Sequence, residues 1–188
     1  EWKRKTYKRP EQQKWYSGET ISLGIGQGYN TFTMLQLATA TSALANGGLR
    51  HTPRTVRATQ DALTHQEQAM TSPAPTTLGF SPEHLNVIRN GLIGVTTGGT
   101  SAQVFAGAGY LSAGKTGTAQ AVTIGQKDKY NAAKLTEHQR DHALYMAFAP
   151  ADAPRIAVAA IVENAGFGAA HAAPIVRRIF DYWLLDQY

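Results

Sequence analysis

The sequence predicts an α+β fold in which helices flank an antiparallel sheet. Three observations support this class: helical patterns occupy the first half of the chain, strand-like segments follow from residue 110, and one more helical pattern comes last. The last two strand-like segments are separated only by residues 150–154, a turn-rich connection that suits an antiparallel hairpin. Since the 188 residues show no internal repeat, we expect one domain or a large piece of one.

The helices of the first half are predicted from their caps and their apolar spacing. Residues 1–30 are polar and we expect irregular structure there. Thr33 is expected to cap a helix that ends near Gly47, and Ser81 with Pro82 to begin a second helix. The predicted inward-facing residues are Met34, Leu37, Ala38, Thr41 and Leu44 in the first helix, and Leu85, Ile88 and Leu92 in the second.

Shorter elements are predicted on either side of the second helix. Residues 53–59 are expected to form a short strand, and residues 60–79, rich in threonine, proline and alanine, a loop. After the second helix, Thr100 is expected to cap a single helical turn that reaches Phe105.

The hydrophobic period changes from Tyr110 onward. We expect three strands, at 110–124, 143–149 and 155–163, because these segments contain valine, isoleucine and aromatic residues and lack helix caps. Residues 125–142 form a charged insertion between the first two strands. The last helix, expected over 171–185, is predicted to turn Ile175, Ile179 and Tyr182 or Trp183 towards the sheet, with Phe180 also in the core.

Composition excludes several classes of protein. The absence of cysteine excludes a disulfide framework and thiolate metal sites, and the longest apolar run, residues 156–162, is too short to span a membrane. Most of the net charge of +5 lies in residues 1–14, and the basic stretch includes the aromatic residues Trp2, Tyr7, Trp15 and Tyr16. Such a stretch can bind single-stranded nucleic acid, but no nucleic-acid-binding module accompanies it. We therefore expect a solvated linker or hairpin and no nucleic-acid partner.

Residues 109–120, GYLSAGKTGTAQ, match three catalytic signatures. Gly109-x4-Gly114-Lys115-Thr116 fits the phosphate-binding P-loop, while Ser112-x-x-Lys115 and Lys115-Thr116-Gly117 fit two motifs of serine acyltransferases. A P-loop requires a helix directly after its lysine and threonine, whereas the residues that follow here favour a strand. On a strand, Ser112 and Lys115 lie on opposite faces, so the lysine cannot take a proton from the serine.

Lys115-Thr116-Gly117-Thr118 on a strand suits the binding of a carboxylate. Thr116 and Thr118 share a face and offer two hydroxyls, while Lys115 points the other way and adds positive charge. Gly117 leaves the backbone open to a substrate, and the Thr118 N–H can serve as an oxyanion donor. The tripeptide alone is non-specific, so the wider sequence has to decide.

The wider sequence resembles the transpeptidase domain of class B penicillin-binding proteins, especially those of the cell-elongation machinery. The resemblance rests on WYSGETISLGIGQGYNTFTMLQLATATSALANGG (15–48), on SAGKTGTAQ (112–120), and on the two strands and the helix that follow. It implies the fold shared with serine β-lactamases. It also implies a D,D-transpeptidase, in which a serine attacks the D-Ala-D-Ala bond of a peptidoglycan stem peptide, passes the acyl group to an amine of a neighbouring strand, and is trapped by β-lactams.

The resemblance also assigns roles within the Lys-Thr-Gly strand. Lys115 would be catalytic, through electrostatic help and proton relay, and Thr116, Gly117 and Thr118 would bind substrate. One departure limits the assignment: only Ser112 has lysine three residues later, and no serine has asparagine two residues later. The nucleophile, its lysine base and the second motif of the family are therefore missing. Residues 1–188 resemble only the C-terminal portion of the domain, and we expect the chain alone to be inactive.

The resemblance implies a set of partners and a location. The expected partners are peptidoglycan stem peptides, β-lactam antibiotics, the remainder of the transpeptidase domain and, through the parent protein, membrane proteins of the elongation complex; no cofactor is expected. Because the chain begins at Glu1 rather than methionine, we expect an upstream segment that anchors the parent in the bacterial inner membrane, with this domain in the periplasm. A P-loop nucleotide hydrolase and a catalytically silent scaffold of the same fold are the alternatives.

Overall fold

The computed structural model describes residues 1–121 and 135–186, and the chain divides into two compact units, residues 1–32 and 33–188. The first unit contains three short helices, α1 (Trp2–Thr6), α2 (Pro10–Gln13) and α3 (Ser17–Gly24). The prediction of irregular structure was therefore wrong for most of this unit. No helix within the described residues is long and apolar enough to cross a membrane.

Lys3 organises the first unit. Its side chain is buried and its Nζ donates a hydrogen bond to the Glu19 carboxylate. The same Nζ lies 5.6, 5.5 and 5.3 Å from the ring centroids of Trp15, Tyr16 and Tyr29, within the range of cation–π attraction. Trp15 and Tyr16, which sequence reasoning assigned to a solvated linker or hairpin, therefore lie with Tyr29 around the ammonium group of an ion pair.

The second unit begins with α4 (Met34–Ala45). The predicted cap is confirmed: the Thr33 hydroxyl accepts the Gln36 N–H at 3.2 Å, and the Thr33 N–H donates to the Gln36 side chain at 2.9 Å. Gly47 follows the helix with a φ of +81°, as predicted for a residue that ends a helix. Of the predicted stripe, Thr41 is buried and the others are half-buried.

Two small antiparallel pairs occupy the segment after α4. β1 (Leu49–Arg50) pairs with β4 (Thr76–Thr77), and β2 (Ala58–Gln60) pairs with β3 (Glu67–Ala69). The strand predicted at 53–59 overlaps β2 only at its end, and the predicted loop at 60–79 holds β3 and β4. The Asp61 side chain closes the β2–β3 turn by accepting N–H groups of the two residues Leu63 and Thr64.

The remaining elements form the main sheet and its helices, in the order that the sequence predicts. They are α5 (Pro82–Thr97), α6 (Ala102–Phe105), β5 (Ala113–Ala119), β6 (His142–Ala149), β7 (Ile156–Val162) and α7 (Gly168–Leu185), with a 3-10 turn at Glu137–Gln139. The sheet is antiparallel with the order β5-β6-β7. The predicted end of the first strand and most of the predicted insertion, residues 122–134, lie outside the described residues.

The two faces of this sheet carry separate parts of the core. On one face, Tyr145 and Ala147 of β6 pack with α7; on the other, Phe148 and Ala113 pack with α5 and with Ala45 of α4. The inward face predicted for α7 was wrong, because Ile175, Ile179, Tyr182 and Trp183 are all exposed. The buried residues of α7 are Ala172, Ala173, Val176 and Phe180.

Small residues explain the orientation of α7, since alanines let its backbone approach the sheet. The closest approach is at Gly168, where a Cβ would lie 2.2 Å from the Leu144 carbonyl oxygen and 2.5 Å from that of Gly117.

The inward face predicted for α5 is confirmed in part. Leu85 is buried and Leu92 half-buried as predicted, but Ile88 is 44% exposed.

We expect Gly168→Ala to destabilise the chain, because the added methyl group meets two backbone carbonyls that cannot move independently. The free energy of unfolding should fall by about 2 kcal/mol. The matched control is Gly91→Ala in α5, where a Cβ meets no atom within 4 Å; it should raise stability by about 0.5 kcal/mol. Urea denaturation followed by circular dichroism measures both, and equal effects of the two substitutions would contradict the packing at Gly168.

The first unit should open at low pH. The hydrogen bond from Lys3, then that from the Tyr16 N–H, lowers the pKa of Glu19 below its ordinary value of 4.5. Burial opposes the charge of Lys3, but its hydrogen bond to Glu19 and the charge of Glu19 raise the pKa of Lys3 on balance. Glu19 thus adds stability above its unfolded pKa that is lost as pH falls through its folded pKa.

The fluorescence of Trp2 and Trp15 reports this opening in a Trp183→Phe background. The emission should shift as the pH falls below the ordinary range of a glutamate. Glu19→Gln should remove most of this pH dependence while weakening the unit at pH 7, whereas Glu11→Gln, at a carboxylate with no ion pair in the described residues, should leave it unchanged. An identical transition in Glu19→Gln would disprove the role of Glu19.

Candidate carboxylate-binding site on strand β5

Strand β5, which carries Lys115 to Thr118, lies at the edge of its sheet. It pairs with β6 on one side and has no neighbouring strand on the other among residues 1–121 and 135–186. An edge strand presents backbone N–H and C=O groups that an extended peptide can pair with. The position of β5 therefore suits a substrate that lies along the strand.

The alternation of the strand separates the lysine from the threonines. Thr116 lies opposite Tyr145 and Thr118 opposite Ala143, so both threonines share the face that carries Tyr145. Lys115 is exposed on the other face, and its Nζ donates to the Thr116 carbonyl oxygen at 2.8 Å. The ammonium group thus stays beside the strand, one residue from the threonine hydroxyls.

A further hydroxyl meets this site from the turn after α5. The Thr100 Oγ1 lies 3.1 Å from the Thr116 Oγ1, within hydrogen-bond distance. The sequence predicted Thr100 as the cap of the following helix. Instead Ser101 precedes α6, without a side-chain capping bond to the helix. The Thr100 hydroxyl is turned towards β5, where it forms a pair with Thr116.

A buried layer supports this pair from below. The Tyr145 hydroxyl lies 2.8 Å from the Ser101 Oγ, and the Ser101 Oγ donates to the Val95 carbonyl oxygen at 3.1 Å. Burial raises the pKa of the Tyr145 phenol, an effect that the contact with Ser101 partly opposes. The phenol therefore carries its proton at neutral pH and can donate it in a hydrogen bond.

The first residue of α7 reaches the strand at Gly117. A Cβ on Gly168 would also lie 3.1 Å from the Gly117 nitrogen, so the helix begins directly against the backbone of β5. The N-terminus of an 18-residue helix carries partial positive charge. Together with Lys115, it makes this part of the strand favourable for an anion.

The other end of α7 is fixed to the segment before β5. The Arg177 Nε donates to both carboxylate oxygens of Asp181, at 2.7 and 2.8 Å, and the Tyr110 hydroxyl donates to the same carboxylate at 2.7 Å. Arg177 also donates to the Val104 carbonyl oxygen at 3.1 Å. Burial, then the hydrogen bond to Asp181, raises the pKa of Tyr110. The network holds the chain that enters β5.

The structure contradicts the two other interpretations of this segment. Lys115 and Thr116 lie in the middle of a strand that continues to Ala119, so the helix that a P-loop requires is replaced by strand. Ser112 is 2% exposed, and its Oγ has no hydrogen-bond partner among the residues that the structure describes. A buried serine with no adjacent base is not an activated nucleophile.

Histidine and acidic side chains do not assemble a metal site in the described ranges. The histidines and carboxylates within residues 137–142 lie on different elements, since Glu137 and His138 are in the 3-10 turn while His142 begins β6. The His142 Nδ1 accepts the Asn164 N–H at 3.0 Å and so has a structural partner.

Sequence reasoning brought together the four residues of the strand but missed Thr100, Ser101 and Tyr145. The four are contiguous, so the strand period alone predicts their faces. The missed residues lie 16 to 44 positions from their partners. The packing of α5 on β5 and the pairing of β5 with β6 bring them together.

Comparison with known proteins shows the family of the chain. The model of the penicillin-binding protein transpeptidase domain matches residues 5–181. Peptidoglycan D,D-transpeptidase MrdA of Haemophilus influenzae is 42% identical over 187 residues, which cover 98% of this chain and 28% of that protein. The chain thus spans little more than a quarter of the length of this relative.

Solved structures share the fold. The crystal structure of Pseudomonas aeruginosa PBP2 in complex with WCK 5153 superposes with a TM-score of 0.73 at 38% identity, over 99% of this chain and 36% of that one. PBP2 from Helicobacter pylori, in its complex with MreC, gives a TM-score of 0.73 at 25% identity, over 98% of this chain and 30% of that one. The predicted fold class is confirmed, and the chain belongs to the penicillin-binding protein transpeptidase domain family.

Proposed function

We propose that residues 1–188 are the C-terminal portion of the catalytic domain of a peptidoglycan D,D-transpeptidase. The observation that carries this proposal is the placement of Lys115-Thr116-Gly117-Thr118 on the edge strand β5, in a chain that matches the transpeptidase family. The reaction would be acyl transfer from the D-Ala-D-Ala end of a stem peptide to an amine of a neighbouring strand.

The strand would contribute recognition of the substrate carboxylate. Thr116 and Thr118 would donate hydroxyl hydrogen bonds to it, and Lys115 would add positive charge and relay a proton. Gly117 would let the peptide approach the backbone, because no side chain projects there. β-Lactams carry a carboxylate next to their reactive ring and would bind the same groups.

The nucleophile would come from outside this chain. Within it only Ser112 has the spacing to a lysine, and Ser112 is buried. The remainder of the transpeptidase domain would therefore supply the reactive serine and its base. The parent would be anchored in the bacterial inner membrane, with this domain in the periplasm. Its partners there would be proteins of the elongation complex, as the H. pylori complex with MreC suggests.

Intact-mass spectrometry after exposure to benzylpenicillin tests the division of labour between this chain and its parent. We expect no penicilloyl adduct on the chain alone and one adduct on the full-length parent. The parent with its own reactive serine replaced by alanine is the control and should remain unmodified. A covalent adduct on residues 1–188 would refute the prediction that the nucleophile lies elsewhere, and an unreactive parent would refute the transpeptidase function.

Substitution of Thr116 tests the carboxylate site directly. In the full-length parent, Thr116→Val removes a hydroxyl but keeps the branched shape, so we expect the second-order rate of penicillin acylation to fall roughly 10- to 100-fold. Thr76→Val in β4 makes the same chemical change outside this strand and should have no effect. An acylation rate that Thr116→Val leaves unchanged would count against carboxylate binding by β5.

A further inference from the structure

Tyr145 occupies a space that only a glycine in β5 leaves open. Its position opposite Thr116 places its ring on the same face of the sheet, beneath Gly114. A Cβ on Gly114 would lie 2.5 Å from the phenol oxygen and 2.8 Å from Cζ, closer than atoms can approach. The ring also stacks on Phe105, with centroids 5.9 Å apart and an angle of 20° between the planes. Tyr145 is therefore held in one orientation.

The phenol fastens the turn that carries Thr100. Ser101 uses both its N–H and its hydroxyl hydrogen on the Val95 carbonyl oxygen, each at 3.1 Å. A serine hydroxyl has a single hydrogen, so while Ser101 donates it to Val95 the bond of 2.8 Å is donated by the phenol. Both side chains are almost fully buried, at 1% and 2% exposure, so water does not substitute for this bond.

The turn depends on this hydrogen bond because two glycines, Gly98 and Gly99, precede it. Glycine has more backbone conformational freedom than any other residue, so the segment before Thr100 is not rigid by itself. Gly99 cannot be replaced without displacing α5, since a Cβ there would lie 2.8 Å from the Val95 Cα. Ser101 is hydrogen-bonded to Tyr145, and the adjacent Thr100 is hydrogen-bonded to the Thr116 hydroxyl.

We propose that Tyr145 is a positioning residue for the carboxylate site, acting through Ser101 to hold the Thr100 hydroxyl against Thr116. The inference rests on the proposed function of β5. With Thr100 as its neighbour, the Thr116 hydroxyl can donate to a bound carboxylate while it accepts from Thr100, or the two hydroxyls can donate together. Loss of the phenol leaves the ring in place but releases the turn, so that the pair is no longer pre-organised for an anion.

Acylation of the full-length parent by benzylpenicillin and by its methyl ester separates this role from a purely structural one. The ester keeps the reactive ring but lacks the negative charge. We expect Tyr145→Phe to lower the second-order acylation rate for benzylpenicillin roughly 5- to 10-fold and to leave the ester rate nearly unchanged. Ser101→Ala removes the same bond from the other side and should change the ratio of the two rates equally. Tyr182→Phe, at an exposed tyrosine of α7, should not change the ratio.

A double substitution tests the route through Thr100. If Tyr145 acts by placing Thr100, then Thr100→Val with Tyr145→Phe should be no slower than Thr100→Val alone. Thermal unfolding of every variant fixes a temperature at which all are folded, and rates are compared there. Should Tyr145→Phe not fold, Ser101→Ala and its double variant with Thr100→Val give the same comparison.

The outcomes are distinct. Equal losses for the penicillin and its ester, no loss for either, or additive effects with Thr100→Val would each overturn the positioning role while leaving the proposed function intact. A parent that forms no penicilloyl adduct would overturn the proposed function and this inference with it.

Discussion

Two close contacts, at Gly114 and at Gly117, determine the geometry of β5. The candidate site depends on that geometry. Beneath Gly114 lies the phenol of Tyr145, and beside Gly117 lies the first residue of α7, Gly168. A methyl group has no room on Gly114 or on Gly168. The two residues between these contacts, Lys115 and Thr116, are therefore carried by a strand that is packed tightly at both flanks. Such packing lets the threonine hydroxyls adopt their positions before any ligand arrives, which lowers the entropic cost of binding.

The sequence was sufficient for the order of the main elements but not for the orientation of α7. The strands and their antiparallel connection follow from local period and turn chemistry, which act within a few residues. The inward face of α7 was predicted from its bulkiest side chains, Ile175 and Trp183, yet both are exposed. Packing depends on how closely two backbones approach, and small side chains allow the closest approach. The alanines and Gly168 of α7 therefore face the sheet in place of its larger hydrophobic residues. A scale of hydrophobicity does not register that preference.

The residues of the candidate site also divide into those that the sequence predicts and those that only the structure shows. The roles proposed for Lys115 and Thr116 follow from alternation along one strand and from a family motif, both of which are visible in a single sequence. Ser101 and Tyr145 meet across 44 residues and give no local signal. Lys3 is a third case, because charge patterns treat a lysine as solvated unless a partner is near in sequence. Its partner Glu19 is 16 residues away, and the aromatic rings around it compensate the loss of water.

The contact between Gly114 and Tyr145 also restricts the order in which this sequence can change during evolution. A side chain at position 114 is acceptable only after the phenol has been replaced by a shorter group, since the two would occupy the same space. Tyr145, by contrast, can be replaced first without a steric clash, although its loss leaves a cavity and removes the bond to Ser101. Substitution at 145 thus has to precede substitution at 114, and a lineage that keeps the tyrosine is confined to glycine. We therefore expect positions 114 and 145 to change together in evolution, although 31 residues separate them.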